Sequence, residues 1–305
     1  LKAYIQSYTT ISRIDSFNNG ILNGEPTNDI IHPDYKSVVP ANLLRRMSKV
    51  IRMGIGSAIA AKGEREINGV IVGTGLGCLE NTEKFLTQFI DRTEGILSPT
   101  AFIQSTHNTI AGQIGLILGD NSYNSTYTQR GQSFENALVD AILLSAEKPN
   151  NILVGGVDEK IDILDTFAKE NNINLETLSE GASFFMISQD RTNAKSQIAG
   201  CFNFIANSEE VEANIVDFLK ANDLKKPNLV LFGNSILNNN TPGFDLDTPI
   251  ENYSDLSGAY MTNSAFALQL ASEKIEANPE KYPEGILIVN NYNNKSFGLI
   301  YLQKP

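Results

Sequence analysis

The segment YTQRGQSFENALVDAILLSAEKPNNILVGGVDE, Tyr127–Glu159, decides how the rest of the chain is read. It runs as the end of a strand, a tight glycine turn, an amphipathic helix and a buried strand. Phe134, Ala137, Leu138 and Ala141 recur at helical spacing, so that face packs inward. The helix is expected to start at Gly131, and Ile152–Val154 to form a short apolar strand ending in a glycine pair. A strand that enters a helix through a sharp turn is where many enzymes expose a nucleophile, because the helix N-terminus stabilises negative charge there. Here the turn carries Gln129, Arg130 and Gly131. None of the three is a competent nucleophile, so scaffold and side chains disagree.

The 305 residues suffice for one large domain or two intimately packed halves. The net charge of -11 argues against nucleic acid as a partner, since phosphates demand Lys and Arg. No apolar run approaches the ~18 residues that read as a membrane span. The opening LKAYIQSYTT has strand character rather than that of a leader. Cys78 and Cys201 form neither a disulfide framework nor a metal spacing, and a reducing cytoplasm is the simplest setting. His32 and His107 stand too far apart in sequence to suggest a ligand pair. No metal and no cofactor is expected.

Outward from the opening unit, Ala3–Ile11 alternates as a strand, and residues 15–40 are loop-rich. Asn42–Ala61 reads as one helix, with Arg45, Arg46, Lys49 and Arg52 as a basic patch near its start. Val70–Val72 is a buried strand, Asn81–Phe89 a helix, and Ser105–Leu118 a glycine-weakened helix. Beyond the unit come a short helix at Ile161–Glu170 and a strand at Gly181–Ser188. The plan then recurs in shorter form. Gln197–Ile205, Asn228–Phe232, Gly285–Val289 and Phe297–Leu302 are strands. Ser208–Ala221, capped by Ser208, and Ser264–Ala277 are helices. Each half runs strand, helix, strand, helix, strand, strand. Two such halves would bury the helices at Gly131 and Ser264 between sheets.

Several local patterns suggest chemistry and fail on inspection. Gly73-x-Gly75-x-Gly77 follows a strand and precedes a helix, but a dinucleotide site needs its third glycine at Cys78; a structural turn is the better reading. Gly131-x-Ser133 is half of a hydrolase elbow, with Glu135 at the second glycine and both histidines upstream of the serine. His107 reads as a polar cap or a buried hydrogen-bonded side chain, and His32 as exposed. The two cysteines read as small hydrophobes.

Words spread along the chain resemble the β-ketoacyl synthase branch of the thiolase-like superfamily. RRMSKVIRMGI at Arg45–Ile55 looks like that family's Arg-Arg-Met-Ser-Arg helix, and GVIVGTGLG at Gly69–Gly77 like its second strand and turn. SPTAFIQSTHNTIAGQIGLILG at Ser98–Gly119 is similar to the segment before the nucleophile strand. ILVGGVDE at Ile152–Glu159 is similar to the strand after the nucleophile helix, and ILIVNNYNNKSFGLIYL at Ile286–Leu302 resembles the closing hairpin. The resemblance implies an α/β fold of five layers, αβαβα, with mixed sheets around buried helices. Residues 1–193 would form the elbow half and residues 194–305 a shortened second half.

Members of this family condense an acyl chain with a malonyl unit on acyl carrier protein, using a Cys and two His residues. Matched to those motifs, the Cys position falls on Arg130, or on Gln129 with a shift of one. The first His falls at Gly233, in Gly233-Asn234-Ser235. The second falls at Ala259, in Gly258-Ala259-Tyr260. An arginine stays protonated and cannot attack a thioester. Losing a whole catalytic unit removes the covalent step. The resemblance therefore implies a degenerate member, like the chain-length factors that pair with an active ketosynthase and like those of aryl polyene and flexirubin-type pathways. An apolar dimer face is expected near Asn124–Thr128, with an active synthase or a second copy as partner. The alternative is a malonyl-carrier decarboxylase using Gln129, or an acyltransferase using Ser133 or Cys78. It suffers because the missing histidines would hold the developing enolate. A third possibility is a binding module for acidic carrier protein, docking on Arg45, Arg46, Lys49 and Arg52.

Overall fold

The structure is a computed structural model that describes residues 2–17, 20–22, 24–91, 99–147, 150–171, 177–234 and 244–305. Ser235 and the first residue of the Ser98 segment lie outside them. The first strand, β1 (Ala3–Ile11), is followed by α1 (Ala41–Leu44) and α2 (Lys49–Lys62). The single helix expected over Asn42–Ala61 is thus two. Ser48 takes an extended backbone (ψ 170°) and restarts the chain as the N-cap of α2. After β2 (Gly69–Gly73) come α3 (Leu79–Asp91), α4 (Pro99–Gln104) and α5 (Thr109–Leu118). The deciding segment keeps the expected order, β3 (Tyr123–Tyr127), a tight turn at Arg130–Gln132, α6 (Ser133–Glu147) and β4 (Ile152–Asp158), but α6 starts at Ser133 rather than Gly131, and β4 runs on through the glycine pair instead of ending at it. Next come α7 (Asp162–Glu170) and β5 (Gly181–Ser188).

The second half comprises β6 (Ser196–Ile205), α8 (Val211–Ala221), β7 (Leu229–Asn234), β8 (Ile250–Asn252), α9 (Ser254–Ser257), α10 (Ser264–Ala277), β9 (Ile286–Tyr292) and β10 (Ser296–Gln303). The cap ahead of α8 is Asn207 rather than Ser208, because Asn207 and Glu210 form a reciprocal capping box around the intervening tight turn. Strand β8 carried no sequence signal: three exposed residues offer no apolar pattern.

The strand order is β3-β2-β4-β5-β1-β6-β10-β9-β7-β8. The first five repeat as the last five, read outward from the centre. In each half a parallel trio (β3, β2, β4; β8, β7, β9) continues into antiparallel neighbours. The halves are not separate sheets. Ala3, Tyr4 and Ile5 of β1 pair with Ile198, Gln197 and Ser196 of β6 and join them.

Alternation along the strands sends one set of side chains inward and the next outward. Ile71, Val154, Phe185 and Ile187 from the first half meet Leu231, Ile288, Ile300 and Leu302 from the second around α6 and α10. Phe134, Ala137, Leu138 and Ala141 are all fully buried there. The opposite faces carry α2 and α5 on the first half and α8 on the second. These are five layers, helix–sheet–helix–sheet–helix. They bring the N-terminal ends of both central helices to one place.

Candidate functional site

The turn between β3 and α6 forces Arg130 into left-handed backbone, φ 52°. For a residue with a Cβ this costs energy that the surroundings must supply. Its side chain is exposed, as is that of Gln129. The next residue must be glycine, since a Cβ on Gly131 would sit 2.6 Å from the Tyr292 ring. Ser133 Oγ donates to the Arg130 carbonyl at 2.7 Å, so the one hydroxyl at the helix start holds the turn.

The two turns matched to histidines converge on this elbow. Gly233 has no room for a side chain: a Cβ there would lie 2.2–2.5 Å from the Tyr253 ring. Tyr253, itself buried, fills that volume. Ala259 is buried, and its backbone exchanges hydrogen bonds with Thr177 and Ser179. Asn263 Nδ2 donates to the carbonyls of both Asn234 and Gly258, each at 3.1 Å, tying these two turns together. Asn290 ties them to the elbow. Its Nδ2 donates to the Gly131 carbonyl at 2.7 Å and to Glu135 Oε1 at 2.8 Å, while its Oδ1 accepts from Tyr253 Oη at 3.3 Å. The three positions matched to the family's catalytic residues are therefore brought together, held by asparagines, with a tyrosine packed against Gly233.

Glu135, one turn into α6, is fully buried. Burial pushes its carboxyl up to about 7, with Asn290 and Ser264 pulling the other way. Sequence reading missed it, although Glu135, Leu138 and Ile142 share one apolar helical face, and a carboxylate on such a face is itself a signal.

The glycine loop after β2 is a turn, as the spacing implied, and its anion is internal. Asp158 Oδ1 accepts from Gly75 N (2.8 Å), Leu76 N (3.1 Å) and Thr74 Oγ1 (3.0 Å); Oδ2 accepts from Thr262 Oγ1 (2.8 Å). A protein carboxylate occupies the backbone nest that a phosphate takes in a dinucleotide site. Even so, burial pushes Asp158 up to about 6. Gly75 is pinned between Met261, 2.2 Å from where its Cβ would stand, and the Arg130 carbonyl.

The basic residues divide. Arg45 and Arg46 are exposed. Lys49 instead pairs with Glu180 at 2.6 Å and donates to the Lys160 carbonyl at 2.8 Å. Arg52 is half-buried, with its Nε unpartnered. His107 is exposed, packed over Gly77. His32 is exposed and bonds Tyr35 Oη through Nδ1 at 2.8 Å. Cys78 is buried and its thiol is pushed up to about 12. Among the described residues, no group of three or more His, Cys, Asp or Glu side chains comes together to hold a metal ion, and no helix is long and apolar enough to cross a membrane.

The sequence model of the beta-ketoacyl synthase N-terminal domain matches residues 24–204, more than half of the chain. The chain belongs to the beta-ketoacyl synthase family. Among solved structures, this synthase-family chain is similar to the ishigamide ketosynthase/chain length factor (15% identity, 100% of this chain and 99% of that one, TM-score 0.77). It is also similar to a beta-ketoacyl synthase from Burkholderia phymatum (12%, 100% and 99%, 0.73). A third is a ketosynthase (ApeO) in complex with its chain length factor (ApeC) from Xenorhabdus doucetiae (14%, 98% and 99%, 0.60). At these identities the likeness establishes the thiolase-like fold of the synthase-family chain. No curated protein matches its sequence.

Proposed function

We propose that this chain is a non-catalytic, chain-length-factor-like subunit that pairs with an active ketosynthase in polyene biosynthesis of the fatty-acid or polyketide type. The reading divides the chain into an elbow half, residues 1–193, and a shortened second half, residues 194–305. The observation that carries it is the Gly233–Tyr253 contact. The first histidine position is not merely substituted but filled, so no side chain can be restored there without displacing a buried ring. Arg130 at the elbow adds a group that cannot form a thioester.

Two features support a partner surface near the elbow. Strand β3 ends the sheet order, and among the described residues no strand pairs with its outer side. The strand itself is polar apart from its tyrosines, unlike the apolar face expected near Asn124–Thr128. Exposed apolar residues lie instead on α3, α4 and α5: Leu86, Phe89, Ile90 (77% exposed), Phe102, Ile103 and Leu116. Exposed apolar side chains of this size are suited to a protein contact.

Two measurements test the reading. Co-expression with an active ketosynthase followed by native mass spectrometry should give a heterodimer; a stable monomer indifferent to every synthase sinks the proposal. Incubation with malonyl-loaded carrier protein should leave the carrier mass unchanged. Loss of carbon dioxide that disappears in Gln129→Ala would favour the decarboxylase. For carrier docking, Arg45→Glu with Arg46→Glu should abolish binding of an acidic carrier protein. Lys49 is already neutralised by Glu180 and contributes little there.

A further inference from the structure

Glu135 is used by neither the fold's apolar packing nor the proposed partner contact. It is a buried carboxyl linked to the elbow through one side chain, Asn290. Asn290 divides its amide hydrogens between the Gly131 carbonyl and Glu135 Oε1, so the elbow and the carboxyl share a single bridge. The other oxygen, Oε2, is buried without a hydrogen bond. Ser264 Oγ, close enough to favour the ionised form, also closes no bond of normal geometry. There is no slack: a Cβ on Gly298 would lie 2.7 Å from Glu135 Cγ and Oε1.

Several elements enclose this carboxyl: β6 with Cys201, the segment before α9 with Tyr253, α10 with Ser264, β9 with Asn290 and β10 with Gly298. The titratable groups that feel its charge are Cys201 and Tyr253. Both are pushed well up, first by burial and then by Glu135, and both stay neutral. Among the described residues, no lysine or arginine offsets Glu135. An ionised carboxylate in this position would be fully buried with one oxygen unpartnered, and such a group is expelled or reprotonated.

We propose that Glu135 is a proton-controlled latch on the elbow: its carboxyl holds the β3–α6 turn closed while protonated, and releases it when the proton is lost. The closed form keeps the proton on Oε2, leaving Oε1 to accept from Asn290. Release loosens the turn that follows β3. The latch belongs to the chain alone and stands whether or not the partner is a ketosynthase. That the carboxyl is pushed up to about 7 places the transition near neutrality.

The test is hydrogen exchange of the full-length chain, read on peptides spanning residues 127–138 and corrected for intrinsic exchange. Between about pH 6 and about pH 8.5, protection should fall at least about tenfold, following the ionised fraction. Glu135→Gln mimics the protonated form and should stay protected throughout. Ser264→Ala removes a group that favours ionisation and should move the midpoint to higher pH. It is the safer variant if the glutamine chain folds poorly. Equal pH profiles for wild type and both variants would overturn the proposal. So would a Glu135→Gln elbow less protected than wild type at high pH. A heterodimer that fails to form leaves this result untouched, so the two readings fail separately.

Discussion

Arg130 and Gly233 carry opposite kinds of constraint. Arg130 keeps a side chain on left-handed backbone, at φ 52°. Arg130→Gly should therefore raise stability by about 0.5–1 kcal/mol, the relieved strain exceeding the added freedom of the unfolded chain. A shift in urea midpoint checks it. Gly233→Ala pushes a methyl into the Tyr253 ring and should cost about 1–3 kcal/mol by the same measurement. The sequence made the first site legible, because a cation in a nucleophile turn is conspicuous. It showed a glycine at 233 but not the ring packed against it, since Tyr253 meets it through the fold. Asn290 and Asn263 were hidden for the same reason: each bridges turns far apart in the chain. Asp158 was visible only as part of a strand ending, and its four donors come from two distant loops.

At the scale of elements, periodicity read the buried parts well and the junctions poorly. Strand β1 and helix α10 fall where expected, because apolar spacing runs their full length. The break between α1 and α2 went unread because residues on both sides continue the same apolar pattern across it. Helices α3 and α4, pinned to each other by the Phe85–Phe102 rings at 5.4 Å, present their remaining apolar residues to solvent. Ile90→Asp with Ile103→Asp should abolish association with a partner, while shifting folding stability by no more than about 0.5 kcal/mol per site. Sedimentation with and without the partner separates the two effects. Removing the Asn207 cap with Asn207→Ala should instead cost about 1 kcal/mol and leave association unchanged.

Across the whole molecule, the central layer draws on both halves, so neither half covers its own inner face. Residues 1–193 expressed alone should lack fixed tertiary packing, seen as lost near-ultraviolet dichroism with helical signal retained. Three buried carboxyls set the response to pH. Glu135 and Glu159 are pushed from 4.5 to about 7, and Asp158 from 3.8 to about 6, chiefly by burial. In each, the folded chain holds a proton that the unfolded chain has released. Stability from these groups is thus full below about pH 4, falls as pH rises through 6 to 7, and levels off above. Urea unfolding across that range should lose on the order of a few kcal/mol, and Glu135→Gln should remove part of the slope.

The ring lodged against Gly233 also bears on how this lineage can change. A histidine at 233 needs the space that Tyr253 occupies, and a smaller residue at 253 leaves a cavity in the buried centre until that space is refilled. Either substitution alone therefore loses stability. The pair behaves as a ratchet: a side chain at 233 and a smaller residue at 253 are tolerated only when they arrive together.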